Sequence, residues 1–102
     1  MSHIQEMINL NDIVGFDWDD GNIGKNFKKH KITDREAEEA FNNNAFIVVT
    51  TSYLNEERFQ LFGETFHRKI SVKYTIRKNK IRIISAREMR KKERKYYEES
   101  LR

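Results

Sequence analysis

The chain has 102 residues, 35% of them charged and 37% hydrophobic, with one Trp, four Tyr, seven Phe, no Cys and no Pro. That length suits one domain with a core of one or two layers; the missing cysteines exclude disulfides and thiolate metal sites, and no apolar run approaches the roughly 18–20 residues that span a bilayer. The net charge of +4 conceals an asymmetry: residues 1–50 carry five Lys/Arg against nine Asp/Glu (−4), and residues 51–102 carry fifteen against seven (+8). A basic half of this kind is the footprint of a polyanion or of an acidic protein partner, unless it is simply a solvated face.

Residues 1–12 lack the basic and apolar regions of a secretory signal. They are expected to form a loose helical turn with Ile4, Met7 and Ile8 on one side, an N-terminal extension to a single domain at 13–102. The stretch VGFDWD (14–19) predicts a short strand, and residues 20–30 a helix with Ile23 and Phe27 on its inner side, shared by Asn26 and His30. Thr33-Asp34-Arg35-Glu36 is a capping box, in which hydroxyl and carboxylate satisfy free N–H groups reciprocally. It opens a helix through Phe41, with Ala37, Ala40 and Phe41 inward, that the Asn42–Asn44 run stops.

From Ala45 the apolar period becomes two. AFIVVTT (45–51) is apolar on both faces, as a central strand would be, and ERFQLFGE (57–64) alternates. ISVKYTIR (70–77) sets Ile70, Val72, Tyr74 and Ile76 on one face. Lys78-Asn79 fits a two-residue hairpin turn, since Asn tolerates positive φ. The resulting register pairs Arg77 with Lys80, Ile76 with Ile81, Thr75 with Arg82 and Tyr74 with Ile83, matching in face throughout. It also gathers Lys73, Arg77, Lys80 and Arg82 on the face away from the isoleucines, a crowding of like charge that a sheet does not want for its own stability. Ser85-Ala86-Arg87-Glu88 reads as a second capping box, so the last helix is expected to start there. Its inward stripe would be Met89, Glu93, Tyr96 and Tyr97, with Arg90, Lys91, Arg94 and Lys95 outward, and Glu93 in that stripe is either a structural partner of a nearby Arg or a site carboxylate.

Together FDWD (16–19), NFKKH (26–30), Glu57, Arg58 and Gly63, YTIR (74–77) and above all IRIISAREMRKKERKYYE (81–98) resemble the BrnT toxins of bacterial type II toxin–antitoxin systems. The resemblance covers residues 16 to 98 or so. It implies a RelE-like α+β fold in which helices pack on one side of an antiparallel β-sheet, N-terminal helices before the sheet and a C-terminal helix after it. It also implies an endoribonuclease that cleaves mRNA and arrests translation, free or on the ribosome, and a BrnA-like antitoxin that forms a hetero-oligomer with it. The chain departs from the family pattern at Asn22, where many relatives have Lys, and at Lys31, where they usually have Gly.

RNA cleavage without a metal needs a base for the 2′-OH, cations for the phosphorane charge and an acid for the leaving oxygen. Arg suits the phosphate because its fork spans two oxygens and stays charged. Arg58, Arg77 and Arg87 match the family pattern best and are the expected catalytic cations, with Arg82 next; ordinary surface ion pairing is the alternative for each. His30 is the family-matched side chain that can serve as acid or base near neutrality, or else a half-buried helix-end histidine. Lys25, Lys29 and Lys73, with Arg82, are the expected RNA contacts. Glu57 is a weaker candidate base, Tyr74 falls on the core face, and Trp18 reads as a core anchor. The three histidines, at 3, 30 and 67, lack zinc-ligand spacing, so no metal or cofactor is expected. A cytoplasmic protein is expected, and a non-catalytic basic module that grips RNA or an antitoxin stands as the alternative function. A DNA-binding repressor fits less well, since no helix-turn-helix precedes the basic C-terminal helix.

Overall fold

The computed structural model describes residues 14–101, apart from the side chains of residues 46–49 and 53. The turn expected at residues 1–12 lies outside the described residues. Seven elements follow in order: α1 (Lys25–His30), α2 (Asp34–Glu39), β1 (Phe46–Tyr53), β2 (Glu56–Glu64), β3 (Lys69–Arg77), β4 (Lys80–Glu88) and α3 (Lys91–Ser100). The strands form an antiparallel meander, β1-β2-β3-β4, so the class is α+β.

Local chemistry accounts for most boundaries. Thr33 and Glu36 form the expected capping box at α2. Lys78 and Asn79 both have positive φ, 51° and 64°, the geometry that makes a two-residue turn follow the twist of its strands. The β3–β4 register is the expected one from Arg77↔Lys80 to Tyr74↔Ile83. A second such turn, Leu54-Asn55 with φ 48° and 66°, joins β1 to β2 and extends both beyond the sequence reading.

One face of the sheet carries Phe59, Leu61, Ile70, Val72, Tyr74, Ile81, Ile83 and Ala86, packed with Ala37 and Ala40 of α2. Gly63 shares this face by alternation with Leu61, and an added Cβ there would run into the Ala40 carbonyl oxygen. The opposite face is met by α3. Phe62, which alternates with Leu61, forms a separate apolar cluster with Met89 and Tyr97. The expectation that the helices share one side is therefore corrected: α2 and α3 sandwich the sheet, because Phe62 needs its own apolar cover.

Further expectations are overturned, the first being that residues 45–51 form a central strand: β1 lies at the edge of the sheet. Ser85–Glu88 opens no helix; these residues continue β4, with Arg87 opposite Ser71 and Glu88 opposite Ile70, and the helix waits until Lys91. Strand pairing and the burial of Ala86 outweigh a local capping pattern. Around α1 the buried residues are not Ile23 and Phe27, which are 55% and 50% exposed, but Asn26, expected beside them, and Asn22 ahead of the helix. Those two satisfy the outer edge of β4: Asn22 Nδ2 donates to the Ile83 carbonyl, and Asn26 Oδ1 accepts from the Ala86 N–H. Residues 14–17 complete that edge through a bridge at Phe16↔Ile81 and three backbone hydrogen bonds, less than the full strand expected of VGFDWD.

Candidate functional site

Between α3 and the hairpin tip, the second face of the sheet stays open. Arg58 and Gln60 of β2 project here with Lys73 of β3, Gln60 and Lys73 being direct cross-strand partners. Against them β4 carries a bulge: Tyr74 opposes Ile83 and Lys73 opposes Ser85, so Ile84 is the extra residue. A bulge re-aims the side chains around it. Here it turns Ile84 into the wall of a hollow of about 300 Å³ that Thr51, Ser52, Arg58, Gln60 and Lys73 also line. It also restores the alternation that carries Arg87 to this face rather than to the core. A second hollow of about 220 Å³ adjoins it, lined by Leu54, Glu56, Arg58 and Arg77.

The arginines of this face are held by internal acids. Glu56 takes Arg77 Nε at 2.8 Å and stands 3.6 Å from Arg58 Nε, drawing guanidinium groups from two strands to one carboxylate. The Arg77 hydrogen bond holds the Glu56 carboxyl below its usual range. Arg82 is fastened to both Asp19 oxygens, at 2.9 and 3.1 Å, and lies 3.5 Å from Asp17. It thereby binds the 14–19 segment to the sheet, and its hydrogen bonds lower the Asp19 pKa. Arg87 forms a forked pair with Glu93 at 2.7 and 2.9 Å. The same carboxylate accepts from the Arg90 N–H at the start of α3, and Arg87 chiefly keeps its pKa at about 2. Glu93 is thus the structural partner of an arginine, one of the two roles its place in the stripe allowed.

Residues 18–93 match the model of the BrnT ribonuclease toxins of type II toxin–antitoxin systems. The chain belongs to the BrnT family. No curated protein and no solved structure matches it. BrnT membership makes this a ribonuclease toxin of a type II system, with RNA as substrate class and an antitoxin as partner.

Against the BrnT motifs, the structure separates the expected site residues into three groups. Arg58 and Lys73 meet in the larger hollow, and Arg77 reaches its margin through Glu56. Arg82 and Arg87 share the face but serve as ties, one to the FDWD segment and one to α3. His30, Lys25 and Lys29 stand on α1 at the outer edge of β4, and none of them lines either hollow. His30 is half-buried, Lys25 and Lys29 exposed. Asn26 of the NFKKH motif is an edge-strand cap. Lys31, at φ 62°, occupies the left-handed C-cap where glycine is favoured, which accounts for the Gly usual at that position. Asn22 has its own buried work: besides bonding Ile83, it donates to the Asp17 carbonyl and accepts from the Asp19 N–H. Trp18 packs against the core and donates to Glu38 at 2.6 Å. Tyr74 is buried, and burial raises its pKa.

Three contributors carry little signal in the sequence. Glu56 enters β2 only through the Leu54-Asn55 turn, which carries no Gly or Pro to mark it. Gln60 looked like an ordinary outward polar residue. Ile84 did leave a signal, since Ile83-Ile84 breaks the alternation of β4, as a bulge does. Chemically, the hollow offers two cations and several hydrogen-bonding groups. Glu56 and Glu93, both held ionised, are poorly matched to a general base near neutrality. Among the described residues no group of three His, Asp or Glu could hold a metal ion, and no helix is long and apolar enough to cross a membrane.

Proposed function

We propose that the chain is an endoribonuclease that cleaves mRNA without a metal ion and so arrests translation, holding a phosphate of the strand between Arg58 and Lys73. The observation that carries this is the hollow itself: two cations from adjacent strands face one cavity on a sheet surface that α3 leaves open. Arg77 extends the cationic margin. A phosphate can take the place of Glu56 there, because a guanidinium fork accepts carboxylate and phosphate oxygens in the same geometry. Cations so placed stabilise the charge that builds on the phosphorane. The protein acts in the cytoplasm, on free mRNA or on the ribosome, until a BrnA-like antitoxin binds it in a hetero-oligomer.

A second reading has its own support. Arg77, Arg82 and Arg87 are each paired with an internal carboxylate, as in a non-catalytic module whose basic face grips RNA or an antitoxin. Induced expression in a bacterial host separates the two. The nuclease halts growth and protein synthesis, the arrest is relieved by co-expressing the antitoxin, and Arg58→Ala abolishes it while the variant stays soluble and folded. Unimpaired growth with wild-type protein that still binds the antitoxin would favour the module.

A further inference from the structure

We propose that Gln60 reads a nucleobase in the hollow, its side-chain oxygen selecting bases with an amino group at the purine 6 or pyrimidine 4 position, adenine or cytosine. The inference rests on the nuclease reading and concerns the same hollow.

Its first support is the orientation of the amide. Gln60 Nε2 donates to Ser71 Oγ at 2.8 Å and faces Glu93 Oε2 at 3.5 Å. A carboxylate gripped by Arg87 only accepts hydrogen bonds, so the opposite orientation would set oxygen against oxygen. The nitrogen is thereby committed beneath α3, and Oε1 is the atom left to the hollow. The Arg87–Glu93 pair thus acquires a second consequence: it fixes which end of the amide a ligand meets.

The second support is the shape and lining of the cavity. At about 300 Å³ it lies at the lower end of small-molecule sites, suited to one unstacked base rather than a duplex. Ile84 offers an apolar wall for the base plane, and sequence-specific RNA recognition works mostly on such splayed single-stranded bases. Gln60 lies two residues from Arg58 on the same strand face, about 7 Å along β2. A nucleotide spans that separation from phosphate to base edge. With the purine 6 or pyrimidine 4 position turned to Gln60, adenine and cytosine offer an amino N–H; guanine and uracil carry a keto oxygen there, which would face Oε1 acceptor to acceptor. The 2-amino group of guanine lies at the other end of that base edge.

The test uses the full chain and single-stranded RNAs with a randomised centre, the cleavage ends being read by sequencing. Adenine and cytosine should be enriched about five- to tenfold over guanine and uracil at one nucleotide flanking the cut, the value of one hydrogen bond. Gln60→Met, similar in shape but without the acceptor, should bring that ratio close to one; the ratio between sites, not the total rate, is the readout. A second arm keeps the wild-type protein and replaces the preferred adenosine by purine riboside, which lacks the amino group and should be cut about five- to tenfold more slowly. A guanine or uracil preference, an unchanged ratio in Gln60→Met, or equal cleavage of the riboside would overturn the role of Gln60. Cleavage with no base preference would overturn it alone. No cleavage at all would overturn the nuclease reading, and this inference with it.

Discussion

Replacing Glu93 by Gln removes one charge while keeping the side-chain volume and an oxygen for the Arg90 N–H. The structure sets the magnitude. Arg87 holds the Glu93 carboxyl at about 2, against an ordinary 4.5. At about 1.4 kcal/mol for each tenfold change in proton affinity, that difference is a ceiling of about 3 kcal/mol. Both side chains keep roughly a fifth of their surface in water, 21% for Arg87 and 20% for Glu93, so screening trims the ceiling to about 2 kcal/mol at pH 7. The sign with pH follows from the depressed folded-state value. The contribution is complete above the unfolded carboxyl's pKa near 4.5 and is lost as pH falls toward 2; less than half should remain at about pH 3. Urea unfolding of wild type and Glu93→Gln at pH 7, 4 and 3 measures this directly, with equal m-values confirming that the unfolding transition is unchanged. A deficit below about 0.5 kcal/mol at pH 7, or one that does not shrink with acidification, would refute the pair's role in anchoring α3.

Other perturbations test the fold that carries the site. Gly63→Ala drives a Cβ to 2.2 Å from the Ala40 carbonyl oxygen, backbone against backbone, and should cost about 1–3 kcal/mol of stability in a denaturant melt. Asn26→Ala leaves the buried Ala86 N–H without its acceptor, but it also removes an Asn26 Nδ2 that has no acceptor among the described residues. The net loss should be about 1 kcal/mol, with the Ala86 amide exchanging hydrogen faster than its β4 neighbours. Changing Lys78-Asn79 to Asn-Gly relieves two positive-φ positions and should stabilise the hairpin by about 1 kcal/mol, read as a higher melting temperature.

What the sequence made legible was local or self-checking. The β3–β4 hairpin could be read because a two-residue turn imposes a register in which every cross-strand pair agreed in face. The α2 capping box could be read because both partners lie within one turn. The same logic failed at Ser85–Glu88, where an identical local pattern was overruled by pairing with Ser71 and Ile70, residues far away in the chain. Around α1, apolar spacing points to the side of Ile23 and Phe27, but the edge of β4 needs hydrogen-bonding groups rather than hydrocarbon, and Asn22 and Asn26 supply them. Arg77 and Arg82 lie on the one face that the hairpin register gives them. Their carboxylate partners were hidden, since Arg82 and Asp19 are 63 residues apart and Arg77 and Glu56 are 21.

Arg58 and Lys73 are the cations that line the hollow, and cleavage of single-stranded RNA in EDTA, by wild type and by Arg58→Ala and Lys73→Ala, tests that assignment most directly. Wild type should cut without added metal. Arg58→Ala should lower kcat/KM by about 100-fold, the cost of losing one preorganised charge donor at a transition state, and Lys73→Ala by about tenfold, each with an unchanged melting temperature. Cleavage that needs a divalent ion, or that proceeds at the wild-type rate in both variants, would contradict the account.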